Sequence, residues 1–289
     1  MADTAKNKTQ FDLLIQAPKM TPMKKDEWLL NAQAESWEEI QAIPPVYRLH
    51  NPVTPQNVAA EIYQAGFDVA LVPRSRRLEQ VSILAMDMDS TLITIECVDE
   101  IADMIGIKKQ VAEITEKAMR GEIDFRQSLI ARVALLKGVP ETALEAVYAT
   151  RLNLSPGAET MLRVFQEANV KTLLVSGGFT FFTERLRRRL KLTQTAANQL
   201  EVVDGKLTGR IIGDIVDAKA KAKELQSMKT RFATEQCPLT VAIGDGANDL
   251  PMFTVADISF AYHAKPKVRD QATHTIDHCG LEAIQYHFY

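Results

Sequence analysis

At 289 residues the chain has the length of about two domains, and with 46% hydrophobic and 25% charged residues it reads as an ordinary globular protein with a sizeable core. A formal net charge of −3 speaks against broad binding to nucleic acid or an anionic membrane, and no apolar run approaches the length that spans a bilayer. Cys97, Cys237 and Cys279 are widely spaced and form no CxxC pair, which argues against a disulfide framework or zinc site and fits a reducing cytoplasm.

The opening residues to Gln10 are polar, lead into no signal-like apolar stretch and predict disorder. Next come a strand over FDLLI, a helical stretch over 22–33 and a Pro-rich turn at Ile43-Pro44-Pro45. A helix over 54–65, stopped by Gly66, precedes a strand over 67–72 ended by Pro73. Residues 1–79 therefore read as a small α+β domain without a catalytic motif, joined onward by Arg74-Ser75-Arg76-Arg77 as a solvated basic linker.

From residue 80 to 289 strands and helices alternate. Near-continuous apolar runs at 81–86, 172–175, 240–243 and 258–261 predict strands buried on both faces, as in a parallel sheet. Helices are predicted at 157–168 and 179–190, giving a doubly wound α/β core. Asp204-Gly205 joins strands 200–203 and 207–212 in a hairpin. A purely helical insert spans about 96–152, with one apolar face at Val111, Ile114 and Ala118 and another at Phe125, Leu129, Val133 and Leu136. It follows the first core strand directly and is placed to cover that strand's end.

The strongest chemical signal is Asp87-Met88-Asp89-Ser90-Thr91, just past the strand VSILAM. Ligands bind beyond the carboxyl ends of such strands. Two carboxylates there suit a hard cation such as Mg²⁺, and one can serve as a nucleophile. A bare DxD is also what two solvated loop acids would look like. The second signal, Gly244-Asp245-Gly246-Ala247-Asn248-Asp249, again follows a buried strand; its plain alternative is a loop capping a helix. Ser176-Gly177-Gly178 lies where free N–H groups at a helix start would hold phosphate, although a simple strand-to-helix turn gives the same sequence.

Lys221 stands in a run of three lysines, but it alone falls in phase with Leu225, Met228 and Phe232. It points inward, and a buried lysine needs an anionic partner. Arg132 falls on the apolar face of its helix with Phe125 and Leu129, as a carboxylate-binding or a snorkelling arginine. Glu96 opens the insert beside the two acids, where a helix-start carboxylate is favoured in any case.

Together DMDSTLITIE (87–96), MRGEIDFRQSLIARV (119–133), VSGGF (175–179) and AIGDGANDLPM (242–252) resemble the haloacid-dehalogenase superfamily and, within it, the phosphoserine phosphatase family. The likeness runs from about residue 81 to the end and leaves residues 1–79 unassigned. It implies a soluble, cytoplasmic, Mg²⁺-dependent hydrolase that converts O-phosphoserine to serine in the last step of serine biosynthesis, through an aspartyl phosphate. Asp87 would be nucleophile and metal ligand. Asp89 would be general acid and base, with its main-chain carbonyl on the metal. Asp245 would complete the metal site and Asp249 support it. Ser176, Gly177 and Lys221 would hold the phosphate and Asn248 contact the substrate. Glu96 would take the substrate ammonium and Arg132 its carboxylate, with Met119 and Phe125 shaping the pocket. The partner is thus a small molecule, not nucleic acid or membrane, and homo-oligomer formation is compatible with the sequence. Two alternatives are phosphoryl transfer from Asp87 to another alcohol such as homoserine, and a regulatory amino-acid-binding role for residues 1–79.

Overall fold

The computed structural model describes residues 10–289, so the disorder expected for the polar start lies outside the described residues. The chain opens with β1 (Phe11–Gln16), α1 (Lys25–Asn31), β2 (Ser36–Gln41), β3 (Val46–His50), α2 (Gln56–Gln64) and β4 (Asp68–Pro73). They form an antiparallel sheet in the order β2-β3-β1-β4. Trp28, Val58, Ile62 and Phe67 pack on the face carrying Leu13, Ile15 and Leu49. The sequence reading missed β2 and β3, seeing only the Pro-rich turn that joins them. The reason is physical: β2, SWEEIQ, has no buried residue, and β3, VYRLH, is buried at four successive positions that include Arg48, so neither carries an apolar alternation to read.

The second face of this sheet, with Leu14, Val46, Ala70 and Val72, is covered by Tyr286 and Tyr289 from the far end of the chain. Arg48 Nη2 donates to the carbonyls of Tyr286 and Phe288 at 2.9 and 3.0 Å. The buried Asp68 carboxylate accepts from the N–H groups of Asp277, His278 and Cys279. The basic linker belongs to this seam. Arg74 Nη2 lies 2.7 Å from buried Asp12, and Arg76 Nη1 lies 2.8 Å from His274 Nε2. The expectation of a solvated run is therefore corrected: only Ser75 and Arg77 are exposed.

The larger part runs β5 (Val81–Met86), α3 (Cys97–Met104), α4 (Lys108–Met119), α5 (Phe125–Ala134), α6 (Thr142–Thr150), α7 (Ala158–Glu167), β6 (Lys171–Phe179), α8 (Thr180–Leu190), β7 (Gln194–Val203), β8 (Lys206–Ile212), α9 (Ala218–Phe232), β9 (Leu239–Gly244), α10 (Leu250–Val255), β10 (Ile258–Tyr262) and β11 (His274–Ile276). Its seven-stranded sheet has the order β11-β10-β9-β5-β6-β7-β8, parallel except for β8. Leu84, Leu174, Val241 and Ile243 face α7 and α8, packing with Met161, Phe165, Phe182 and Leu186. Ile83, Ala85, Leu173, Val175 and Ala242 face α9 and α10, packing with Leu225, Met228 and Met252. Burial on both faces is why these strands read as unbroken apolar runs. The chain builds outward from β5 on one side, then crosses to β9 on the other. The switch point, where a ligand crevice opens, therefore lies between β5 and β9.

Helices α3 to α6 form a cap whose two stems are tied by a bridge between Ile93 and Leu154. The cap also rests on the β7–β8 hairpin, where Gly138 N and Leu207 N exchange bonds with Leu207 O and Val139 O. One expectation needs correction here. Ser176-Gly177-Gly178 is not a helix N-terminus: β6 continues through it as a bulge between Val175 and Phe179, and α8 starts only at Thr180.

Candidate active site

Asp87 is the first residue past β5, and its N–H donates to Ile243 O on neighbouring β9. Its Oδ1 accepts from Met88 N at 2.6 Å. Its Oδ2 lies 2.7 Å from Lys221 Nζ and 3.3 Å from Asn248 Nδ2. Lys221 is held in the first turn of α9, a helix whose start is capped by the Asp217 side chain accepting from Ala220 N. Only 1% exposed, it also pairs with Asp249 Oδ1 at 2.8 Å. Burial alone would push its ammonium down; the charges of Asp87 and Asp249 more than offset this and hold it up. The inward phase read from the sequence thus puts Lys221 between two carboxylates.

Asp89 turns away from this pair. Its Oδ1 accepts from Cys97 N, the first amide of α3, at 2.9 Å, and its Oδ2 lies 3.3 Å from Ser176 Oγ. Burial pushes its carboxyl up to about 6; the Cys97 N–H restrains the shift and the Asp87 charge adds to it. Two neighbouring carboxyls with different surroundings, one salt-bridged and one raised, are the pattern expected of a nucleophile beside a proton donor. Glu96 stands at the mouth of the site, accepts from Ser90 Oγ at 2.7 Å, and is likewise pushed up by burial and by Asp89.

A cavity of about 210 Å³ is lined by Asp87, Asp89 and Asp245 below, by Glu96, Phe125 and Arg132 from the cap, and by Gly177, Gly178, Val98 and Asn248. The structure thus brings most of the sequence-predicted residues to one place. Ser176, Lys221 and Asp249 stand behind the wall: each is buried, and Ser176 Oγ accepts from Gly178 N at 2.8 Å. Arg132 is paired with no carboxylate among the described residues; its Nε donates to Ser128 O at 3.4 Å. Met119 does not join the site. It ends α4, is 71% exposed and does not line the cavity, so its expected place in the pocket wall is corrected.

Asp87, Asp245 and Asp249 each present an oxygen within 4.8 Å of the others. An all-oxygen set fits a hard cation. Both oxygens of Asp249 are already engaged, by Lys221 Nζ and by Gly246 N, which suits it to a supporting position. Asp245 has Thr91 Oγ1 on its Oδ1 at 3.0 Å, and burial and the Asp87 charge push its carboxyl up. Such crowding of like charge is what a cation would relieve. The Asp89 side chain lies outside the cluster, leaving its main-chain carbonyl as the group it could offer.

A model of the haloacid dehalogenase-like hydrolases matches residues 84–254, which contain every residue of this cavity. The chain belongs to that family. A phosphoserine phosphatase from Polaromonas sp. is 50% identical over 76% of this hydrolase and 94% of its own length. A probable phosphoserine phosphatase from Vibrio cholerae, solved unliganded, superposes with a TM-score of 0.83 at 34% identity, covering 97% of this hydrolase and 87% of that chain. A structure described as a phospho-aspartyl intermediate analogue of phosphoserine phosphatase matches with a TM-score of 0.66 at 36% identity, over 72% and 99% of the two chains.

Two residues in this hydrolase stood inside the motifs read from the sequence without a role of their own, Thr91 and Gly178, and a third, Asn198, escaped the reading altogether. Thr91 fixes Asp245, as described. Gly178 is required by close approach: a Cβ there would stand 2.8 Å from Asp89 Oδ2. Asn198, fully buried on β7, donates from Nδ2 to Gly177 O and accepts at Oδ1 from Val216 N, both at 2.8 Å, tying the bulge to the segment before α9. A lone asparagine in a strand gives no periodic or motif signal; only the topology brings it there.

Proposed function

We propose that this hydrolase removes phosphate from O-phosphoserine through a phosphorylated Asp87. The single observation that carries the reading is the layered site: an acidic floor with buried Lys221 beneath a cap that presents Glu96 and Arg132 to the same cavity. The floor suits phosphoryl chemistry. The roof offers one anion and one cation, the complement of a free amino acid's ammonium and carboxylate. The names of the relatives support this substrate and give the phosphotransfer alternative no support.

Asp87 attacks phosphorus in line. Protonated Asp89 gives its proton to the departing serine oxygen, then as carboxylate takes one from the water that hydrolyses the aspartyl phosphate. Its raised pKa supports the first role. Lys221, with Ser176 and the N–H groups near Gly177, neutralises and orients the phosphate, and Asn248 contacts the substrate. Glu96 holds the ammonium, Arg132 the carboxylate, and Phe125 closes the wall. Mg²⁺ would be held by Asp87, Asp245 and the Asp89 carbonyl, with Asp249 in support; it supplies charge neutralisation for an anion attacking an anion. In this reading residues 80–289 are the phosphatase domain with its cap at about 96–152, residues 1–79 are a separate domain, and the enzyme works in the cytoplasm on a small molecule.

A phosphate-release screen over phosphorylated amino acids and sugars tests the proposal. O-phosphoserine should lead, EDTA should abolish turnover and Mg²⁺ restore it. Preference for a sugar phosphate, or full activity in a verified metal-free preparation, would overturn it.

A further inference from the structure

Ser90, on the loop between β5 and α3, sits at φ 55°, ψ 4°. This is the left-handed region, where a Cβ crowds the following carbonyl and glycine is favoured. Its N–H donates to Ile95 O at 3.2 Å, a bond a glycine would make equally well. Only the hydroxyl distinguishes serine, and it donates to Glu96 Oε1 at 2.7 Å. Glu96 has no ion-pair partner among the described residues and lines the same cavity as Asp89. One carboxylate oxygen is therefore fixed from behind, which leaves the other for a ligand. Backbone strain of this kind clusters at ligand-binding sites, where it is kept when the side chain supplies what glycine lacks.

We infer that Ser90 is a positioning residue whose hydroxyl aims Glu96 at the amino group of the substrate, and so sets the preference for phosphorylated amino acids over phosphate esters without an ammonium. This deepens the phosphoserine reading and rests on it. Ser90 touches neither the phosphate nor the leaving oxygen in this scheme. Its removal acts on ground-state binding of one substrate group, not on the chemical step.

The test compares Ser90→Gly and Ser90→Ala with the unaltered enzyme on O-phosphoserine and on 3-phosphonooxypropionate. The second substrate keeps the phosphate and carboxylate and has hydrogen in place of the ammonium. Loss of one directing hydrogen bond should raise KM for O-phosphoserine roughly threefold to tenfold in both variants, with kcat within about twofold. KM for the ammonium-free ester should not move. Ser90→Gly should melt at or above the unaltered protein, because it releases the strain; Ser90→Ala keeps the strain and isolates the hydroxyl. In a Glu96→Ala background Ser90→Gly should add nothing. Equal KM increases on both substrates, no increase on O-phosphoserine, or additive effects with Glu96→Ala would overturn the inference. Failure of the unaltered enzyme to hydrolyse O-phosphoserine would instead overturn the substrate reading, and the two failures are read from different rows of one experiment.

Discussion

Replacing Lys221 by methionine keeps the volume and removes the charge that Asp87 and Asp249 share. The two contacts, 2.7 and 2.8 Å, would each be worth about 6 kcal/mol at an effective dielectric of 20. Several kcal/mol per ion are returned as desolvation, so the measurable loss is smaller. Breaking a buried pair from one side costs about 3–5 kcal/mol because the other charge stays behind; here two carboxylates stay behind, 4% and 0% exposed. Urea unfolding in EDTA at pH 7.5 should therefore place Lys221→Met about 3–5 kcal/mol below the parent, with an unchanged m value. Adding Asp249→Asn should recover on the order of 1–2 kcal/mol by removing one stranded charge. The pH dependence has a definite sign. Burial and the Asp87 charge already push the Asp249 carboxyl up, and Lys221 is what restrains that rise; without the lysine the deficit is therefore present at high pH and shrinks as pH falls and Asp249 protonates. A deficit under about 1 kcal/mol that ignores pH would refute the reasoning, and Lys221 would not be the counter-charge of the site.

Asp89→Asn should slow the first step more with phosphoserine than with nitrophenyl phosphate, whose leaving group needs little protonation, and should accumulate hydroxylamine-sensitive phosphate on Asp87 by mass spectrometry. Equal slowing with no trapped phosphate would move the acid elsewhere. Arg132→Ala should lower kcat/KM for phosphoserine about tenfold to a hundredfold and that for a carboxylate-free ester far less; matching losses would make the arginine structural. Burial and Arg76 lower His274 to about 3, and burial also drives His287 well below its ordinary 6.5. Both resist protons only when folded, so stability should fall as pH drops below 6.5, by about 1.4 kcal/mol per pH unit for each, as followed by thermal melts. His287→Phe should flatten that acid limb, and an unchanged limb would exclude His287 from it.

Legibility tracked how local the determining physics is. The two acidic loops were readable because buried parallel strands announce themselves as apolar runs and the acids follow at once. Lys221 was readable because helical phase alone separates it from Lys219 and Lys223. What failed depended on contacts distant in sequence. Strand β2 is paired but never buried, so it left no pattern. The arginines at 74 and 76 find Asp12 and His274, a partner choice no local window contains. Met119 matched a motif by position, but position says nothing of direction in the last turn of a helix, and its side chain faces solvent. Asn198 became functional only when β7 was laid beside β6.

The cover that Tyr286 and Tyr289 provide for the N-terminal sheet has a consequence for how the molecule comes together and falls apart. Arg48 and Tyr286 are 238 residues apart in the chain. Closing a loop of that size is entropically unrewarding until the intervening structure has shortened it. The seven-stranded sheet must therefore be assembled before strands β1 to β4 receive their second layer, so the small sheet is among the last parts to be completed. In the opposite direction, loosening the segment that carries Tyr286 and Tyr289 bares the apolar face of the small sheet, so the two sheets should melt together in one transition.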